Sequence, residues 1–111
     1  MLQHVIDQAI AHAFAIPSQE LWSPRRGRSH VAFARQVAMY LAHVACRLTF
    51  TQVVLMFARD RTTVAHACGV VEDRRDDASF DRSLELLEHV VQTLCASPLC
   101  AAQPCIVAPV R

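Results

Sequence analysis

Six hydrogen-bonding side chains crowd positions 59 to 66: Arg59, Asp60, Arg61, Thr62, Thr63 and His66. Their types match the exposed edges of base pairs. An arginine fork can donate to O6 and N7 of guanine, an aspartate can accept from the cytosine amino group, and a threonine methyl can pack on the methyl of thymine. A second reading uses the same residues: Asp60 caps a helix and the threonines fill its first turn. Spacing alone leaves both open.

Base reading requires a scaffold that pushes one end of a helix into the major groove. The flanking sequence predicts one. Thr49 is positioned as an N-cap whose hydroxyl accepts an amide of a short helix holding Val53, Val54, Met56 and Phe57. Ala58 and Arg59 make a tight turn. Asp60 is the next N-cap, opening a helix from Arg61 to about Asp73 with Val64, Ala67, Cys68 and Val71 on its buried face. A short helix, a turn and a second helix with a polar first turn form the helix-turn-helix pattern.

Other elements must hold that pair in place. Val5, Ile6, Ala9, Ile10, Ala13 and Phe14 fall on one stripe and predict a helix from Gln3 to Ala15, closed by Pro17. Ser18 to Trp22 forms a short helix. Ser23 to Ser29 holds Arg25, Arg26 and Arg28 among proline, glycine and serine, which predicts an exposed basic loop. Val37, Leu41, Val44 and Leu48 mark a buried face on a helix from His30 or Val31 to Cys46, and Phe80, Leu84, Leu87, Val91 and Leu94 mark one on a helix from Ser79 to Ala96. That last stripe is expected to close the core of the monomer, with pairing to a second copy as the alternative. The expected fold is all-α, a compact bundle of about five to six helices. Residues 1–96 are expected to form one domain and 97–111 a loose tail.

Charge separates along the chain. Residues 1–61 carry seven arginines against Asp7, Glu20 and Asp60, a net of +4, while the remainder carries four arginines against seven acids, a net of −3. A basic half can neutralise phosphates, and an acidic half is repelled by them. All eleven permanent side-chain cations are arginines, which bind phosphate or guanine with two donors at once. Five cysteines, an odd number, without a signal peptide point to reduced thiols in the cytoplasm. The uncharged run from His89 to Val110 is broken by Pro98, Pro104 and Pro109, so no transmembrane helix is expected. No two of the six histidines stand three or four residues apart, so neither a metal site nor another cofactor is expected. Cys95, Cys100 and Cys105 recur every five residues and are read as idle thiols. No nucleophile or carboxylate pair supports catalysis, so the chain is not expected to be an enzyme.

The run from Arg59 to Cys68, Arg-Asp-Arg-Thr-Thr-Val-Ala-His-Ala-Cys, resembles the signature of the C-terminal DNA-binding domain of the bacterial replication initiator DnaA, Gly-Arg-Asp-His-Thr-Thr-Val-Leu-His-Ala. Upstream, the run from Arg35 to Ala42 resembles the family's Arg-Gln-x-Ala-Met-x-Leu-Ala helix, and Arg25 to Ser29 its basic loop. The resemblance covers roughly residues 5–95. It implies a Trp-repressor-like helix-turn-helix that binds double-stranded DNA. Arg26, or Arg28 in the neighbouring register, is then the arginine inserted into the minor groove. Arg35, Gln36 and His43 touch phosphates, Thr49, Phe50 and Thr51 start the first motif helix, and Asp60, Arg61, Thr62 and Thr63 read the major groove. Thr51 stands where proline is common. Arg61 stands in place of the signature histidine, which puts the family's target sequence in doubt.

No Gly-x-x-x-x-Gly-Lys-Ser/Thr loop can be built from two glycines and no lysine, so the resemblance does not extend to the family's ATPase region. Met1 and the unmatched tail favour a free-standing protein. The expected function is sequence-selective DNA binding at the nucleoid, regulating replication initiation or transcription, alone or with a second copy or a replication protein. The rival is a protein-interaction module that keeps the fold without binding DNA.

Overall fold

The computed structural model describes residues 2–22 and 29–95. They form six helices and no strand: α1 (Leu2–Phe14), α2 (Ser18–Leu21), α3 (Ser29–Val44), α4 (Phe50–Phe57), α5 (Arg61–Arg74) and α6 (Ala78–Cys95). The all-α expectation holds, and predicted helix boundaries fall within two residues of the observed ones. The tail expected at 97–111 lies outside the described residues.

Helix α3 is the axis of the bundle. Its middle, Val37 to Ala42, is buried on every side, and α1, α2, α4 and α5 all pack against it. Alanines at 34, 38 and 42 keep that surface thin enough for several neighbours to approach. Helix α1 contributes Ile6 and Ile10, α4 contributes Val53 and Phe57, and α5 contributes Val64, Ala67 and Val71. Helix α6 lies on α1 through Leu84 and Val91, with Phe80 and Leu87 half-buried beside them.

Four apolar expectations are corrected. Val44 is 40% exposed and Leu94 44% exposed, and Cys68 is only half-buried beside a buried Ala67. Helix α3 ends at Val44, just past its last buried residues Leu41 and Ala42, and the chain then turns at Arg47 with φ 60°. Leu94 falls near the end of an eighteen-residue helix that is longer than its thirteen-residue partner α1 by about 7.5 Å at 1.5 Å per residue. Ala13, expected on the α1 stripe, is exposed, because the buried residues of that helix are Ile6, Ile10 and Ala11.

Local rules set the helix ends. After α1, Ala15 takes φ 55° and the Ile16 amide bonds back to the Ala11 carbonyl at 2.9 Å, burying Ile16, before Pro17 stops the helix. At the far end of the bundle, Arg75 donates to Asp81, to the Tyr40 hydroxyl at 2.8 Å and to Glu88 at 3.0 Å. One guanidinium thus joins the end of α5 to α3 and α6.

Candidate nucleic-acid interface

The geometry of the motif follows from two caps. The Thr49 hydroxyl accepts the Gln52 amide at 3.1 Å while the Gln52 side chain accepts the Thr49 amide at 2.8 Å, a reciprocal capping box at the start of α4. Helix α4 then ends at Ala58, whose φ 55° and ψ 45° turn the chain left-handed. Asp60 Oδ1 accepts the Thr63 amide at 2.8 Å and opens α5. Those hydrogen bonds from Thr63 hold the Asp60 carboxyl below the ordinary aspartate range.

With Val64, Ala67 and Val71 facing inward, α5 turns Arg61, Thr62, Thr63, Ala65, His66 and Gly69 to solvent. A Cβ built on Gly69 meets no atom within 4 Å, so that face is open. Four of the expected readers, Arg61, Thr62, Thr63 and His66, share this exposed row, and Asp60 stands at its head.

The remaining predicted site residues divide. Phe50 contacts both His43, whose ring centroid is 4.5 Å away in a tilted arrangement, and the Arg61 guanidinium, 5.5 Å from the ring centre. His43 is held by a 2.8 Å hydrogen bond between Nδ1 and the Leu48 carbonyl, so Nδ1 is the donor nitrogen. Thr51 is exposed on α4. Gln36 is half-buried on α3, and Arg35 beside it donates through Nε to the carbonyl of buried Leu21. Arg59 is half-buried, its guanidinium 5.1 Å from the centre of the Trp22 ring, which itself stacks on Phe57 at 4.8 Å. Arg59 is therefore set apart from the row headed by Arg61. Arg25, Arg26 and Arg28 lie outside the described residues.

Sequence reasoning missed the tertiary partners of these arginines, and also Arg74, which lies 4.6 Å from the Phe33 ring centre and 5.9 Å from that of Phe80. Arginine beside an aromatic at i, i+6 carries no local signal. The Cys68 thiol is pushed up to about 11, first by burial and then by the Glu72 carboxylate, which makes it a poor nucleophile. Among the described residues no group of three or more His, Cys, Asp or Glu side chains is placed to hold a metal ion. No described helix is long and apolar enough to cross a membrane.

Residues 4–71 match the family model for the bacterial DnaA protein helix-turn-helix. The chain belongs to the DnaA helix-turn-helix family. It is 39% identical over 88 residues to the chromosomal replication initiator protein DnaA of Bartonella quintana, covering 78% of this chain and 18% of that protein. With DnaA of Lachnoclostridium phytofermentans the identity is 34% over 85 residues, covering 75% of this chain and 18% of the relative. A crystal structure of a DNA replication initiation factor superposes with a TM-score of 0.72 at 26% identity, covering 84% of this chain and 28% of that one. The chain thus spans less than a fifth of the length of these two DnaA relatives, and the family model runs from His4 in α1 to Val71 in α5, through both caps of the motif.

Proposed function

We propose that this chain binds double-stranded DNA with sequence selectivity, placing the start of α5 in the major groove, and regulates replication initiation or transcription by occupying its site. The reading rests on one observation above the others: the Asp60-capped first turn of α5 presents Arg61, Thr62, Thr63 and His66 together on an exposed row, next to a separately capped α4. Such a row is what a recognition helix needs at its N-terminal end. The +4 charge of residues 1–61 supplies attraction to phosphate, and the −3 of the remainder turns α6 away from the duplex. The role requires no bond-making step, and it places the protein in the cytoplasm on the nucleoid.

Fluorescence anisotropy on random duplexes, followed across a salt series, tests this. Binding is expected at low salt, with an affinity that falls steeply as salt rises because phosphate contacts release counterions. Complete indifference to DNA at low salt overturns the proposal and leaves the protein-interaction module as the reading of the fold.

A further inference from the structure

Arg59 and Arg61 flank the same cap, and the structure gives them different surroundings. Arg59 is half-buried against Trp22, with Nη1 3.4 Å from the Ala58 carbonyl. Arg61 is exposed over Phe50, and among the described residues no acceptor takes a hydrogen bond from its guanidinium. The attraction of a guanidinium to a ring does not use up a carbonyl or carboxylate acceptor, so the N–H donors of Arg61 stay available for another partner. The ring beneath is itself braced: Phe50 packs on His43 and on the core, and His43 is tied to the Leu48 carbonyl. A long, flexible side chain is thereby steadied at the head of the exposed α5 row.

We propose that Arg61 is a guanine reader, so that tight binding requires a G·C pair at the step facing the first turn of α5, and that Phe50 is its positioning residue. The proposal rests on the DNA-binding reading above and narrows it to one base. Guanine presents two acceptors, O6 and N7, on one major-groove edge, which a two-pronged donor satisfies together. Adenine sets a donor beside its N7 and thymine offers a single acceptor there, so either one leaves an arginine donor unmet. Neighbouring side chains do not duplicate this. Asp60 is acceptor-only and has Oδ1 committed to Thr63, and a threonine hydroxyl is too short for a two-point contact.

Selection from a random duplex library with the 111-residue chain, run in parallel for the wild type, Arg61→Gln and Arg61→Ala, tests the assignment. The wild-type consensus is expected to hold a guanine that becomes adenine for Arg61→Gln, since glutamine pairs with N6 and N7 of adenine, while other positions stay unchanged. Replacing that guanine is expected to weaken wild-type binding about 5- to 150-fold and to leave Arg61→Ala nearly indifferent. A 7-deazaguanine at that position, which lacks only the N7 acceptor, is expected to weaken the wild type and not Arg61→Ala. Phe50→Leu is expected to blunt the guanine preference and Phe50→Tyr to restore it. A consensus that survives Arg61→Gln unchanged overturns the guanine assignment while DNA binding stands. Binding without any enriched sequence, or no binding at low salt, overturns the assignment together with the reading beneath it.

Discussion

The indole Nε1–H of Trp22 donates to Oδ1 of Asp7 across 2.9 Å, fastening the residue that ends α2 to the middle of α1. Burial moves the Asp7 carboxyl up from 3.8, against the opposing hydrogen bonds from Trp22 and Gln3 and the charge of His4. With the folded-state value above the unfolded one, the folded chain holds more protons in that window, so stability falls as pH rises from 3.8 through the raised value. Asp7→Asn keeps an acceptor for the indole and removes the ionisation. It is expected to be more stable than the wild type at neutral pH, with the advantage shrinking towards about pH 4. Urea titrations followed by the fluorescence of the sole tryptophan check this, and an advantage that does not change with pH contradicts it.

Arg35 carries a structural tether that its neighbour Gln36 is not shown to share. Its Nε–H satisfies the carbonyl of fully buried Leu21, so Arg35→Ala strands that acceptor. The expected cost is about 1–3 kcal/mol of folding stability, on top of weaker binding to every duplex alike. Gln36→Ala, one position on, is expected to change stability by no more than about 0.5 kcal/mol. Thermal unfolding beside anisotropy separates the two effects, and equal melting temperatures for both variants refute the tether.

The turn inside the motif is strained. Ala58 holds φ 55° and ψ 45° between α4 and α5, a region that costs a side-chain-bearing residue about 1–2 kcal/mol. Glycine adopts it freely but gives up more unfolded-state freedom, so Ala58→Gly is expected to gain about 0.5–1 kcal/mol net. A higher urea midpoint at unchanged slope is the expected result, and a lower midpoint shows that the alanine methyl matters to packing.

Both caps of the motif were legible in the sequence because capping is local: Thr49 and Asp60 need only amides three residues away. The exposed positions of α5 were legible for a similar reason, since one buried stripe on the helix dictates which positions remain outside. What stayed hidden was tertiary. Periodicity names the inward face of a helix and not where its neighbour stops, which is why Val44 and Leu94 emerged exposed. Composition shows an arginine and not its partner: the Leu21 carbonyl lies 14 positions from Arg35, and Trp22 lies far from Arg59 in the chain. Arg61 and Arg59 look alike in the sequence, and only packing on Phe50 or Trp22 tells them apart.

Asp60 can be tested for reading apart from capping. Asparagine caps a helix as well as aspartate does, so Asp60→Asn keeps an oxygen for the Thr63 amide and should leave helicity intact. It also replaces the second carboxylate oxygen by an N–H donor, which meets a cytosine amino group as donor against donor. The expected result is near-wild-type unfolding at neutral pH with the cytosine preference lost, a discrimination of about 5- to 150-fold at one base pair. The pH arm has a definite sign. Because the folded-state value is lowered from 3.8, the stability Asp60 contributes is present above 3.8 and lost as pH falls through the lowered value, so Asp60→Asn removes that part of the acid slope. If the asparagine variant keeps both its helicity and the full cytosine preference, Asp60 is a cap and nothing more.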